Sequence, residues 1–196
     1  MAHHIYHTKA FVLRKVNTGE WDCRYLLFTK EIGLVSVLAK SARKPTSKMR
    51  GHLNMFSLVG ISLVRGKEVW RLIGVENLDL NTKTIKKSES RIALAQIFNL
   101  VKRLVKGEDP HPELFNELYN TCQTIKKYVK DDGLLEKIEL VAVLRILNLL
   151  GYIPDVPELR SLTKDFDWSE FDKYEVNDRR LQIVKTINQS LQETHL

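Results

Sequence analysis

Five cations crowd one short stretch of the chain: Lys40, Arg43, Lys44, Lys48 and Arg50. They belong to a longer run, Ile32 to Lys67, that contains no Asp or Glu and adds Arg65 and Lys67. Small and turn-forming residues stand between them, among them Ser41, Pro45, Ser47 and Gly51. Such a segment has little to bury and reads as a solvated loop. Its chemistry is the neutralisation of a polyanion, because each cation that meets a phosphate releases condensed counterions. The unbroken lack of acid favours nucleic acid over a merely solvated charge run. Arg24, Lys67 and Arg71 form a second tier of candidate phosphate contacts. Trp21, Tyr25 and Trp70 interleave with this charge. Exposed rings on such segments stack bases without reading them, whereas buried rings fill a core.

Other chemistries are poorly served. The chain has no GxSxG, Walker A, HExxH or GxGxxG pattern, so no catalytic constellation is expected. Cys23 would need a histidine base to act as a nucleophile, and its spacing supplies none. Glu20 and Asp22 flank Trp21 and read as solvated turn residues rather than a metal pair. His3, His4 and His7 invite a metal, but no nearby carboxylate or thiol completes a ligand set. No metal or other cofactor is expected, and the chain reads as a non-enzyme.

Composition narrows the class further. Residues 1–80 hold 13 Lys and Arg against 6 Asp and Glu, while residues 81–196 hold 18 of each. The whole +7 excess therefore sits in the first part, which points to an anionic partner for that part. Cys23 and Cys122 are far apart and form no CxxC pair. Two isolated thiols suit a reducing cytoplasm, with one long-range disulfide as the weaker alternative. Residues 1–9 are polar and His-rich, unlike a secretory leader. The apolar run from Leu134 to Leu150 is broken by Glu136, Lys137, Glu139 and Arg145, so it reads as a buried helix and no membrane association is expected.

The elements that must position these residues follow from periodicity. Residues 1–9 read as a mobile lead-in. Strands are predicted from Thr8, from Arg24 to Thr29, from Leu34 to Lys40, from Phe56 to Val64 and from Val69 to Val75, with turns at 17–20, 31–33 and 65–67. Five short strands in about seventy residues match a small Greek-key barrel of the OB type. Helical spacing begins near Asn81. One stripe runs through Ile92, Ala95 and Phe98 with Leu94, Ile97 and Val101. A second runs through Leu114, Leu118, Cys122 and Ile125, and Asp131-Asp132-Gly133 ends it. Leu134 to Leu150 is apolar nearly all round and reads as the central helix, stopped by Gly151 and Pro154. Residues 155–173 look irregular, with Trp168 and Phe171 docking back. A last helix, capped by Asn177 or Asp178, presents Leu181, Val184, Ile187 and Leu191. The expected class is α+β: a barrel over 1–80, then a helical bundle over 81–196.

Several of these residues, taken in order, resemble the bacterial recombination mediator family RecO. They are Ala10-Phe11-Val12-Leu13, Gly19-Glu20, Phe28-Thr29, Gly33, Ala39-Lys40-Ser41-Ala42-Arg43, Gly51 and Phe56, with Leu149-Leu150-Gly151-Tyr152-Ile153-Pro154 further on. The resemblance implies an N-terminal OB barrel and a helical domain. It implies binding of single- and double-stranded DNA, annealing of complementary strands, and help for RecA in displacing single-stranded-DNA-binding protein (SSB) with the partner RecR. It also implies capture of the acidic SSB C-terminal tail by the helical domain; Lys102, Arg103, Lys126, Lys127 and Arg145 sit on helices beside apolar neighbours, and each reads first as a solvated helix face, so no pocket is named. The expected location is cytoplasmic, at the nucleoid.

Two departures stand out. The family's loop reads Ala-Lys-Gly-Ala-Arg, so any positive φ at its glycine falls here on Ser41. Many members carry a four-cysteine zinc site after the Leu-Gly-Tyr-x-Pro stretch, but residues 154–171 contain no Cys. The resemblance is thus to a short member lacking that site, whose residues 155–175 must fold without metal. The rival readings are an RNA-binding OB protein with the same basic loop and an adapter working through its helices.

Overall fold

The computed structural model describes residues 4–78 and 88–193. His3 and the expected switch to helix near Asn81 lie outside them. Five strands, β1 (Ile5–Thr18), β2 (Asp22–Thr29), β3 (Gly33–Ala39), β4 (Leu58–Arg65) and β5 (Trp70–Asn77), close into an OB-type barrel in the order β1-β2-β3-β5-β4. All neighbours run antiparallel except β3 and β5. Alternation along β-branched strands turns Val12, Leu27, Val35, Val37, Ile61 and Leu63 into one core.

β1 is longer than its hydrophobic pattern suggests. It starts at Ile5, inside the expected lead-in, because its first half pairs with β4 from Ile5↔Val64 to Phe11↔Leu58. Its second half pairs with β2 out to Thr18↔Asp22. A register shift between Val12 and Arg14 lets one strand serve both neighbours. Residues 105–112 group with the barrel rather than with the helices. They cross so close to Gly33 that a Cβ there would lie 2.3 Å from the Asp109 carbonyl oxygen. The Leu34 N–H donates to the Gly107 carbonyl at 2.9 Å, and the Trp70 indole N–H donates to Glu108 at 3.0 Å.

The helical unit contains α1 (Ser88–Leu104), α2 (Pro112–Lys127), α3 (Asp132–Leu149), a short α4 (Arg160–Thr163) between 3₁₀ turns, and α5 (Arg180–Glu193). Asp131 opens α3 rather than ending α2: its carboxylate accepts from the Leu134 N–H at 3.0 Å. Gly151, at φ 76, ends α3, and the Tyr152 N–H reaches back to the Leu147 carbonyl at 2.9 Å. α1 buries Ala93, Leu94, Ile97, Phe98 and Val101, but Ile92, expected in its stripe, is 57% exposed. α5 is rotated from its expected face. It buries Ile183, Thr186, Ile187 and Ser190, leaving Leu181 88% exposed and Val184 37% exposed. Two small hydroxyl residues allow close packing on that side, and the Ser190 hydroxyl is satisfied by the Thr186 carbonyl.

Trp168 and Phe171 are buried, as their docking required. The centre of this region is Glu117. Its carboxylate takes two hydrogen bonds from the Arg145 guanidinium, at 2.7 and 2.8 Å, and one from the Trp168 indole at 2.8 Å. A second guanidinium edge of Arg145 donates to the carbonyls of Leu162 and Thr163, at 3.0 and 3.1 Å. The Arg145 and Glu117 side chains are 12% and 5% exposed, so this charge pair is desolvated and fully engaged. Breaking such a pair strands a buried charge. Glu117→Ala is therefore expected to cost about 3–5 kcal/mol in chemical unfolding. A loss below ~1 kcal/mol would show that Arg145 finds other partners.

Candidate nucleic-acid interface

The basic loop follows β3 and is a chain of turns rather than a loose excursion. Ala42 and Leu53 are buried in the barrel core, and Met49 packs against it. The segment read as a solvated loop with little to bury is thus anchored at three points. Consecutive turns are closed by N–H donation from Lys44 to Ser41, Ser47 to Lys44, Arg50 to Ser47 and His52 to Met49, at 3.0–3.3 Å. The cations Lys40, Arg43, Lys44, Lys48 and Arg50 all remain exposed. Burying small apolar residues while leaving long charged ones in water fixes the loop without desolvating its charge.

The loop is pinned to the tip of the β1–β2 hairpin. The Asp22 carboxylate accepts from the Ser41 N–H at 2.7 Å, and the Trp21 carbonyl accepts from the Arg43 N–H at 3.0 Å. Ser41 takes φ 53, the left-handed conformation that the family's glycine suits. A serine pays about 1 kcal/mol for this, and the charged hydrogen bond from Asp22 holds it there. Asp22 is thus a positioning residue that spacing alone did not reveal.

Cross-strand register assembles the rest. Val16 lies opposite Arg24, Arg24 opposite Leu38, and Leu38 opposite Arg71. Tyr25 and Val37 point into the core, so this row faces outward. Arg24 and Arg71 are then two strands apart, about 10 Å. The next row joins Arg14, Leu26 and Ser36. Arg14 is exposed and was not among the candidate residues. Lys67 is exposed on the β4–β5 turn. It precedes Trp70, whose partner Val37 stands before the end of β3, so it lies toward the other end of the barrel from the loop.

The aromatic candidates separate. Trp21 is 39% exposed beside the loop and is available for stacking. Tyr25 and Trp70 are core residues, which corrects their assignment to bases. Strand alternation places both rings inward, and burial, with Cys23 nearby, pushes the Tyr25 phenol pKa upward. Trp70 is held by Glu108 and by the Arg65 guanidinium 5.2 Å from its ring centre. Cys23 and Cys122 are both buried and free, and burial raises the Cys122 thiol pKa. A buried protonated thiol is a poor nucleophile.

His7 shares a 3.0 Å hydrogen bond with the Ser62 hydroxyl. The segment that carries zinc ligands in many relatives does not fit that ion here. It has no cysteine, and one of its carboxylates, Asp155, is engaged by Arg160 and Lys164 at 2.8–3.0 Å. Those cations hold the Asp155 carboxyl well below the usual range. No helix among the described residues is long and apolar enough to cross a membrane.

Comparisons with known proteins agree with the fold. A family model described as Recombination protein O N terminal matches residues 1–81, and Recombination protein O C terminal matches residues 90–158. Among similar proteins, the DNA repair protein RecO of Dehalococcoides mccartyi strain BAV1 is 30% identical over 162 residues, 82% of this chain and 62% of that protein. The DNA repair protein RecO of Thermodesulfovibrio yellowstonii is 31% identical over 153 residues, 76% of this chain and 59% of that protein. The chain spans about 60% of the length of the curated relatives it matches.

The pinned loop makes a stability prediction. Ser41→Gly removes about 1 kcal/mol of strain but adds glycine's entropy cost, so it is expected to raise unfolding free energy by only about 0.5 kcal/mol. Asp22→Ala is expected to lower it by about 1–2 kcal/mol. Denaturant midpoints at constant slope measure both. A destabilised Ser41→Gly would mean that the positive φ is not a feature of the folded loop.

Proposed function

Because this chain belongs to the RecO family of recombination proteins, we propose that it binds DNA through the pinned basic loop and the outer row of the barrel, and that it anneals complementary strands. The observation that carries this reading is the loop itself: five exposed cations held on buried anchors and tied to a hairpin tip that bears an exposed indole. Lys40, Arg43, Lys44, Lys48 and Arg50 meet phosphates, and Arg24, Arg71 and Arg14 extend the track along the sheet. Lys67 reaches DNA only if the strand continues toward the opposite end of the barrel. Trp21 stacks a base.

Such contacts are sequence-blind, which annealing requires. Each strand must lose its charge repulsion while its base edges stay free to pair. No metal, other cofactor or covalent step enters this reading, so the protein acts as a mediator rather than an enzyme. In the same reading it works with RecR to help RecA onto SSB-coated single strands during gap repair, in the cytoplasm at the nucleoid. The acidic SSB tail would meet cations of the helical unit. Lys102, Arg103, Lys126 and Lys127 are the candidates, since Arg145 is consumed by Glu117.

The test combines charge reversal with a salt series. Arg43→Glu with Lys44→Glu is expected to flatten the slope of log affinity against log salt by roughly 1.5 on single-stranded DNA and to weaken binding across sequences. An unchanged slope would remove the loop from the interface. The same protein should accelerate annealing of SSB-coated complementary oligonucleotides. Acceleration of bare strands alone would remove the SSB contact, and tighter binding to matched RNA would favour an RNA-binding role.

A further inference from the structure

Partly exposed apolar side chains of the helical unit line one groove. α3 and α5 line a cavity of about 330 Å³ with Leu140 and Val143 on one wall and Val184 and Ile187 on the other. Leu181, 88% exposed, lies on α5 one turn before Val184. Apolar surface concentrated in this way marks a binding face rather than scattered surface chance.

The charges around the groove specify what it takes. Glu136 is paired with Arg180 at 3.1 Å. Glu139 is half-buried on the groove wall and has no ion pair among the described residues. Its neighbour is the Gln96 side-chain amide, whose N–H donates to the Glu139 carboxylate. Burial, and then the charge of Glu136, pushes the Glu139 carboxyl pKa upward. A carboxylate set in apolar surface without its own counter-charge is relieved by a cation brought by a partner. An acidic segment would find the wrong sign here. The groove is also half built from α5, which lies beyond the residues matched by the C-terminal family model.

We propose that the α3–α5 face docks a basic amphipathic helix of a partner protein, seating its apolar side chains over Leu140, Val143 and Val184 and pairing a lysine or arginine with Glu139. The arrangement is the helix-in-groove mode, with apolar anchors at helical spacing and one charge setting orientation. It stands apart from DNA binding by the barrel, so either reading survives failure of the other.

The probes are two short amphipathic peptides, one of leucine and lysine and one with glutamate at every lysine position, each followed by fluorescence anisotropy against the full chain. The formal charge of +7 pulls the acidic peptide toward the protein as a whole, so preference for the basic one reports the groove. The expected result is binding of the leucine–lysine peptide that Glu139→Gln weakens about five-fold or more and Val184→Asn weakens further. Both variants should keep the parent melting temperature. If either does not, amide shifts in the parent protein decide: changes confined to residues 136–143 and 180–188 support the proposal, and changes elsewhere overturn it. Equal or tighter binding of the acidic peptide overturns it, as does absence of binding. Concentration-dependent self-association that Val184→Asn abolishes would make the occupant a second copy and would also overturn it.

Discussion

Closure of the barrel rests on a short parallel contact in which Val37 pairs with Trp70 and Leu38 with Arg71. Without it β3 and β5 would be two open edges, each offering unpaired backbone groups. With it, β2, β3 and β5 become neighbours, and one cross-strand row carries Arg24, Leu38 and Arg71. The same closure fixes where β3 ends, and so where the basic loop leaves the barrel. The loop then needs only local ties to be held. Asp22 and Trp21 supply them from the hairpin tip, and Ala42, Met49 and Leu53 supply them from the core. Affinity for a polyanion depends on cations that stay in water yet do not wander, and this division of labour meets both needs.

In the helical unit a single buried carboxylate plays the corresponding part. Glu117 draws together α2, α3 through Arg145, and the irregular segment through Trp168. The aromatic rings of Phe166, Trp168, Phe171 and Tyr174 then pack around the centre, with Arg145 4.9 Å from the Phe166 ring centre. A metal site would staple such a segment with four directional bonds. Here a shared carboxylate with bidentate geometry gives comparable directionality, and the rings supply the burial. Because every donor on Arg145 that faces the interior has an acceptor, the desolvation of the pair is offset.

Much of this was legible in the chain. The five strands, their order and the central apolar helix follow from periodicities that burial imposes on any strand or helix. The run without acid between Ile32 and Lys67 marked the loop. What misled was local. β1 begins at Ile5, yet its start reads as a lead-in because Ile5, Tyr6, His7 and Lys9 all face water and show no buried alternation. Tyr25 and Trp70 sit among cations in the sequence but alternate into the core. α5 shows five large apolar residues, yet its buried face is Ile183, Thr186, Ile187 and Ser190, with small hydroxyl residues in place of Leu181 and Val184.

The sequence by itself therefore determined the element types and the placement of the charge. These are properties of neighbours along the chain, where propensity, period and φ preference act. Only the tertiary structure decided which aromatics are exposed, that Asp22 holds the loop, that residues 105–112 return to the barrel, and that Arg145 answers Glu117 rather than a ligand. Each of these depends on groups far apart in sequence that meet only once strands pair and helices pack, and no local pattern encodes such a meeting.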